Sequence, residues 1–467
     1  MNVRAESRLS SLHGELEDRL AEAMGRLAVP GAAVGIYHQG EEDHVHRGIT
    51  SIDNPLEVNS NTLFQIGSTT KTYTATAAMV LVDLGKLDLD APVRKYVPEL
   101  RLKDEDVAAK VTVLQLLNHT GGWLGDVFTD TGDGDDYLER YVELLADVDQ
   151  LNPLGKFASY NNAAFVVAGL VIQRVAGKRY EDVIKDLVLA PLGMKNSYLF
   201  PKEVMARRFV AGHGEREGVL KVSTPWALPR SANPPGGIIS NTADQVVYAR
   251  FHLGGGVAPD GTRLLREDTV RRMQEPTSEL RGGALGDHVG ICWLLRDVAG
   301  TRVVAHGGST NGQQSSFDLV PSRDFAITIL TNADRGAALH KELTAWALDA
   351  YLDLKAPKEK PLSLGPEELA VYTGEYSNRN AVIKVTADGQ RLVLKVRYTK
   401  EGIEMVKAAL GENPPDPEPI IVHPLAGNRY VVAEGDAKGM NGTFILDGAG
   451  RVTDIEVGGR LAHKISE

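Results

Sequence analysis

The segment Lys355-Ala356-Pro357-Lys358-Glu359-Lys360-Pro361 divides the chain into two stretches of unlike texture, and this break constrains the fold more than any single motif. It is short, charged and bounded by prolines, which marks a linker rather than a helix or a strand. Upstream, apolar residues recur at helical spacing between a few strong strand patterns. Downstream, only short β-rich runs remain. At 467 residues the chain is too long for one ordinary domain and long enough to bury at least one large core. The expected division is a catalytic-sized domain over 1–354, a linker over 355–361 and a small β domain over 362–467.

In the first part, Leu9, Leu12, Leu16, Leu20, Met24 and Leu27 recur every three or four residues among charged neighbours, the signature of an amphipathic helix. It lacks the uninterrupted apolar core of a secretory leader, so a cytoplasmic location is expected. Val29-Pro30-Gly31 ends this helix, residues 32–37 read as a strand, and a second strand is expected over 44–50. Helical patterns dominate from 69 to about 199. Strands return at 302–305, 315–320 and 325–331, followed by a helix over 340–354. This order predicts an α+β fold in which one sheet, drawing strands from both ends of the domain, lies beside an all-helical half. In the second part, runs at 371–376, 381–386, 391–396, 420–423, 430–434, 443–446, 453–457 and 461–465 alternate with turns such as Asp388-Gly389 and Gly458-Gly459. About eight short strands in about 100 residues suit a small antiparallel barrel.

Charge and cysteine content exclude several functions. With 51 basic and 62 acidic side chains the formal net charge is −11, which disfavours nucleic acid and anionic lipid as partners. No apolar stretch approaches the ~20 residues of a membrane span. The one cysteine, Cys292, allows no internal disulfide and sits in the apolar, strand-like Gly290-Ile291-Cys292-Trp293, where a small core residue is expected. No His-Glu-x-x-His, Cys-x-x-Cys or phosphate-binding Gly-x-x-x-x-Gly-Lys occurs, so no metal or cofactor is implied. A Gly-x-Ser-x-Gly elbow is also absent.

Three elements carry chemistry. In Gly67-Ser68-Thr69-Thr70-Lys71, a serine opens an apolar helix with a lysine three residues on, which puts both side chains on one helical face. Burial lowers a lysine's pKa and makes it a proton acceptor for the serine. Tyr160 in Ser159-Tyr160-Asn161-Asn162 stands at the mouth of a second apolar helix, where its phenol can reach the serine and Asn162 offers an amide to a substrate carbonyl. His306-Gly307-Gly308-Ser309 follows a strong strand, and its glycines let a substrate approach the backbone. The N–H groups of Ser68 and Ser309 could then form an oxyanion hole.

In this order, Ser-x-x-Lys, Tyr-x-Asn and His-x-Gly resemble the penicillin-binding protein and class C β-lactamase superfamily of serine hydrolases, over roughly residues 25–355. Leu116-Leu117-Asn118-His119-Thr120-Gly121-Gly122 and Pro235-Gly236-Gly237 are similar to stretches of that superfamily, and its His119 counterpart is structural. The second part looks like the lipocalin-like barrel that some relatives append. The resemblance implies a β-lactamase/transpeptidase-like fold and acylation of Ser68, with Lys71 and Tyr160 moving its proton, either of them as general base. It also implies that His306, Asn162, Gly307 and Gly308 position a small-molecule or peptide substrate. True β-lactamases begin the third motif with lysine. Histidine there leaves no permanent cation, so ester or amide substrates are expected over penicillins. Aminolysis by a peptide amine and a catalytically silent scaffold are the alternatives. The barrel is expected to act as a lid over Ser68 or as a homo-oligomerisation module.

Overall fold

The computed structural model describes residues 7–357, 359–410, 417–435 and 437–466; Lys358 of the expected linker lies outside them. Five helices position the site: α1 (Arg8–Leu27), α2 (Thr70–Asp83), α3 (Asn162–Ala176), α4 (Thr242–Leu253) and α5 (Gly336–Leu352). Eight antiparallel strands form one sheet: β1 (Gly31–His38), β2 (Glu41–Gly48), β3 (Ser278–Gly283), β4 (Gly286–Val289), β5 (Leu294–Val298), β6 (Thr301–Thr310), β7 (Gln313–Val320) and β8 (Phe325–Thr331). Their spatial order is β2-β1-β8-β7-β6-β5-β4-β3. The N-terminal β1 pairs with the last strand β8 from Ala32 opposite Thr331 to His38 opposite Phe325, so both ends of this part close a single sheet.

β1 and β8 are buried almost throughout, which is why both read as continuous apolar runs instead of alternating ones. Alternate residues still go to opposite faces. Ala33, Tyr37, Ala326 and Leu330 join the core beneath the helical half. Ala32, Val34, Ile36, Ile327 and Ile329 join the core under α1 and α5. α2 is enclosed on all sides: every residue from Thr70 to Leu81 is buried.

The structure departs from expectation in instructive places. β2 spans 41–48, not 44–50, because its exposed, charged outer residues hide the strand period. Strands β3 to β5 widen the sheet and were not legible in the sequence. Gly290–Trp293 is not a strand: Cys292 sits at φ 75° in the turn between β4 and β5, although it is buried as expected. β6 continues to Thr310, so His306 to Ser309 are strand residues and not a loop beyond a strand end.

The C-terminal part is a closed eight-stranded antiparallel barrel: β9 (Gly374–Asn378), β10 (Ala381–Asp388), β11 (Arg391–Tyr398), β12 (Ile420–Leu425), β13 (Arg429–Val432), β14 (Asn441–Leu446), β15 (Val452–Val457) and β16 (Arg460–Ser466). Tyr376, Leu392, Leu394, Val422 and Ile455 fill it. Its first strand starts three residues later than the run at 371–376 suggests, because Pro366–Ala370 forms a helical turn that buries Leu369 in the barrel core. A helix over Lys400–Leu410 separates β11 from β12. No helix among the described residues is long and apolar enough to cross a membrane.

Leu16 and Leu20 of α1 are wholly buried in the core shared with α5. Leu20→Ala should destabilise the protein by about 2–5 kcal/mol, whereas Glu22→Ala on the exposed face should stay within about 0.5 kcal/mol. Urea denaturation of the two variants checks this.

Candidate active site

Ser68 lies in a tight 3₁₀ turn (Gly67–Thr69) that runs directly into α2. The turn is tied to the sheet by side chains: Ser315 Oγ donates to the Ile66 carbonyl at 2.7 Å, and Thr69 Oγ1 is 2.9 Å from Ser315 Oγ. Gly308 on β6 makes this approach possible. A Cβ there would lie 1.9 Å from the Ile66 oxygen and 2.7 Å from the Ser68 nitrogen. A Cβ on Gly67 would likewise lie 2.7 Å from the Ser309 nitrogen. The Ser68 and Ser309 backbones are therefore brought together by glycine on both sides. Gly307 is the less crowded position, where a Cβ would meet only the Ser315 carbonyl oxygen, in a tight contact at 3.3 Å.

Lys71 is fully buried. Its Nζ donates to Ser68 Oγ at 3.0 Å and to the Pro235 carbonyl at 2.8 Å. The Tyr160 and Phe165 rings flank it, with centroids 4.9 and 5.6 Å from Nζ. Burial brings its pKa down to about 7, so near neutrality a large share of the side chain is an uncharged amine. The same stripe of α2 fastens the Pro234–Ile238 segment: Thr74 Oγ1 donates to the Pro234 carbonyl, and Thr70 Oγ1 accepts the Ile238 N–H.

Tyr160 immediately precedes α3, whose N-cap is Asn161. His119 accepts the Asn161 N–H on Nδ1 at 3.0 Å and stacks on the Tyr160 ring at a centroid distance of 4.4 Å. Asn161 Nδ2 donates to the Trp123 carbonyl. The stretch 116–123 is thus the anchor of Tyr160, in keeping with a structural His119. Burial pushes the Tyr160 phenol well above its ordinary range, with the hydrogen-bonded Ser68 pulling in the opposite direction.

His306 is buried, and its pKa falls to about 3 through burial first and the nearby Lys71 second. Its Nδ1 is 2.6 Å from the Gly307 carbonyl, which can only accept, so Nδ1 carries the proton and Nε2 is bare. The residue is a neutral imidazole in the wall of the site. From Thr301 to Ala305, β6 pairs with β5 on one side, and this pairing stops at Ala305. On the other side it continues to pair with β7 up to Thr310. From His306 to Thr310 the β5-side edge of β6, beside Ser68, has no strand partner among the described residues.

Two participants carried no signal in the sequence. The β15–β16 hairpin of the barrel turns at Gly458-Gly459, both at positive φ, a turn that suits glycine at each position. Its tip docks on the catalytic part: the Tyr160 N–H donates to the Gly459 carbonyl at 2.9 Å. Arg460 then lays its guanidinium over the Tyr160 ring, 4.7 Å from the centroid. Asp126 receives Arg460 Nε at 3.0 Å and NH2 at 3.2 Å, and also Asn162 Nδ2 at 2.7 Å. Gly125 lets this segment pass close to the Tyr160 backbone, since a Cβ there would lie 2.7 Å from the Tyr160 carbonyl oxygen. Asp126 and Arg460 are 334 residues apart, and neither stands in a recognisable motif.

A groove of about 2150 Å³ contains Ser68, Tyr160, Asn162 and Arg460 and extends between the sheet and the barrel. Ser68, Lys71, Tyr160, Asn162, His306 and Ser309 therefore converge on one cleft, although Asn162 has its amide nitrogen engaged by Asp126. Chemically the arrangement can activate a serine hydroxyl with a neutral amine beside an open strand edge.

The family model described as Beta-lactamase matches residues 16–352, and the chain belongs to that family. Penicillin-binding protein 4 of Amycolatopsis lactamdurans is 32% identical over 370 residues, covering 78% of this chain and 97% of that protein. The crystal structure of SurE is 25% identical with a TM-score of 0.76, covering 98% of this chain and 100% of SurE, barrel included. SurE with D-Leu matches at 24% identity and TM-score 0.74, over 97% and 100% of the two chains. The D-amino acid amidase of Ochrobactrum anthropi SV3 complexed with D-phenylalanine shares the fold at 23% identity and TM-score 0.61, over 74% of this chain and 99% of that one.

Gly308→Ala should displace the Ser68 turn and lower the labelling rate by a fluorophosphonate probe by about a hundredfold or more. Gly307→Ala, at the less crowded position, should keep labelling within about tenfold of wild type. Time courses of probe incorporation compare the two.

Proposed function

We propose that the chain is a serine acyl-transfer enzyme that hydrolyses ester or amide bonds of peptide-like acyl donors through a Ser68 acyl-enzyme. The observation that carries this reading is the buried Lys71 amine, held 3.0 Å from Ser68 Oγ with its pKa brought down to about 7. Lys71 is the general base: its neutral form takes the Ser68 proton as Oγ attacks the carbonyl. Tyr160, kept protonated by burial, acts as a relay: it gives its phenol proton to the leaving group and takes in exchange the one Lys71 has received, so both groups return to their starting states. The Ser68 and Ser309 N–H groups receive the oxyanion. Water then attacks the acyl-enzyme, and Ser68 is regenerated.

The unpaired edge of β6 supports a donor with an extended peptide backbone, which can add alongside it as a further strand. At the mouth of the site His306 is neutral and Arg460 is matched by Asp126, so neither offers a free cation. That disfavours the carboxylate of a penicillin. Structural neighbours solved with D-Leu (SurE) and named for D-amino acids (the amidase, solved with D-phenylalanine and with L-phenylalanine amide) are the ground for proposing a D-configured donor residue. The Ser68 cleft opens into a long groove lined by both the sheet and the barrel, which suits, as a second reading, passage of the acyl group to a peptide amine.

Ser68→Ala should lower turnover of activated esters by more than about a thousandfold with unchanged circular dichroism. Residual turnover within about tenfold of wild type would remove Ser68 from the role of nucleophile. Wild-type kcat/KM for p-nitrophenyl esters should rise as pH passes about 7 and level off above it, because protonated Lys71 cannot accept the serine proton and the neutral amine can. Nitrocefin should turn over far more slowly than the best ester, and D-aminoacyl donors should exceed their L counterparts. An equal response to nitrocefin and the best ester would overturn the substrate class.

A further inference from the structure

We infer that Asp126, in none of the three motifs, is a positioning residue that fixes the Asn162 amide so that the site selects acyl donors carrying an N–H on the acyl residue. This rests on the Ser68 acyl-enzyme reading above. A carboxylate can only accept at neutral pH, so the Asn162 atom 2.7 Å from Asp126 Oδ1 must be the amide nitrogen. Burial raises the Asp126 pKa, but the Arg460 guanidinium and the Asn162 amide more than reverse this, so the acceptor stays ionised. One Nδ2 hydrogen is bound by Asp126, which fixes Oδ1 as the other arm of the amide, and no donor among the described residues reaches it. Asn162 lines the groove that holds Ser68 and Tyr160. It therefore offers an acceptor, Oδ1, to the substrate in addition to the donor to a carbonyl expected from the sequence. The matching group on a peptide-like donor is the N–H of the residue whose carbonyl is attacked.

The arrangement also links the barrel to recognition. Arg460 gives Asp126 two hydrogen bonds, so the carboxylate that orients Asn162 is itself oriented by the β15–β16 hairpin. Gly125 keeps the carboxylate in reach by letting its own segment lie against Asn161, where a Cβ would sit 2.5 Å from the Asn161 Cα. A bond between a charged acceptor and a buried amide strongly favours one of the two flips of an asparagine.

The test uses two esters that differ in one atom: the p-nitrophenyl ester of N-acetyl-D-alanine and its O-acetyl-D-lactate analogue, where oxygen replaces N–H. The wild-type full chain should prefer the N–H donor by about tenfold to a hundredfold in kcat/KM, the cost of leaving a buried acceptor unpaired. Asp126→Asn can donate to Asn162 Oδ1 and permit the flip, so the ratio should fall to within about threefold of unity, whatever happens to the absolute rates. Asn162→Ala should collapse the ratio equally, and adding Asp126→Asn to it should change the ratio no further. An unchanged ratio in Asp126→Asn, or no preference in the wild type, overturns the inference. Were Asp126→Asn not to fold, retention of the preference by Asn162→Ala would overturn it by itself. Failure of both esters to acylate Ser68 in the wild type would instead overturn the acyl-enzyme reading.

Discussion

The burial of one ammonium group governs the architecture around it. A lysine is almost never fully buried without partners, because its charged form loses hydration. Lys71 tolerates full burial by sitting between the Ser68 hydroxyl and the Pro235 carbonyl, with aromatic faces on either side. That requirement explains why α2 is enclosed on every side and why its threonines grip the Pro234–Ile238 segment. Proline at 234 and 235 suits a stretch whose carbonyls are used and whose N–H groups would otherwise need partners. The helical half, the sheet and this short segment meet at one amine, and its lowered pKa is the electrostatic consequence.

A second joint sets the other wall. Tyr160 is held from behind by His119 and Trp123, from below by the Gly125–Asp126 segment, and from the barrel side by Gly459 and Arg460. Further bonds secure the barrel: the Leu461 N–H donates to Ser159 Oγ, and Lys341 donates to the Gly439 carbonyl. Glu456 accepts the Ala284 and Gly459 N–H groups, which joins the hairpin to the β3–β4 turn. A barrel so attached is part of the cleft wall and not a tethered neighbour.

Much of this was legible because the relevant chemistry is local. Ser68 and Lys71 share one helical face, Tyr160 precedes a helix opened by an asparagine cap, and His306 follows a β-branched run; each signal lies within a few residues. The barrel announced itself through turn residues at regular spacing. What stayed hidden is contact between distant segments. Arg460 follows two glycines that mark only a hairpin, and nothing in Trp123-Leu124-Gly125-Asp126 says that its carboxylate meets a residue of another domain. β3 to β5 were missed because their outward residues are polar and Gly282, Gly283 and Gly286 interrupt their period. Gly290–Trp293 misled for the reverse reason, being apolar enough for a strand while bent at Cys292.

Charge compensation connects the two joints. Around Ser68 the protonatable groups are a lysine poised near neutrality, a phenol that keeps its proton and a histidine that stays neutral. A lysine in place of His306 would set a second ammonium near Lys71, drive the Lys71 pKa lower still and weaken it as a base, since basicity falls with pKa. Arg460 brings a permanent positive charge to the same cleft that also lowers the Lys71 pKa, and the paired Asp126 acts in the opposite direction and offsets part of this. The pair leaves Lys71 basic enough to take the serine proton while still placing a rigid hydrogen-bonding plane against Tyr160. A cleft of this kind discriminates by hydrogen-bond direction instead of by net charge, and that is the discrimination a neutral peptide backbone requires.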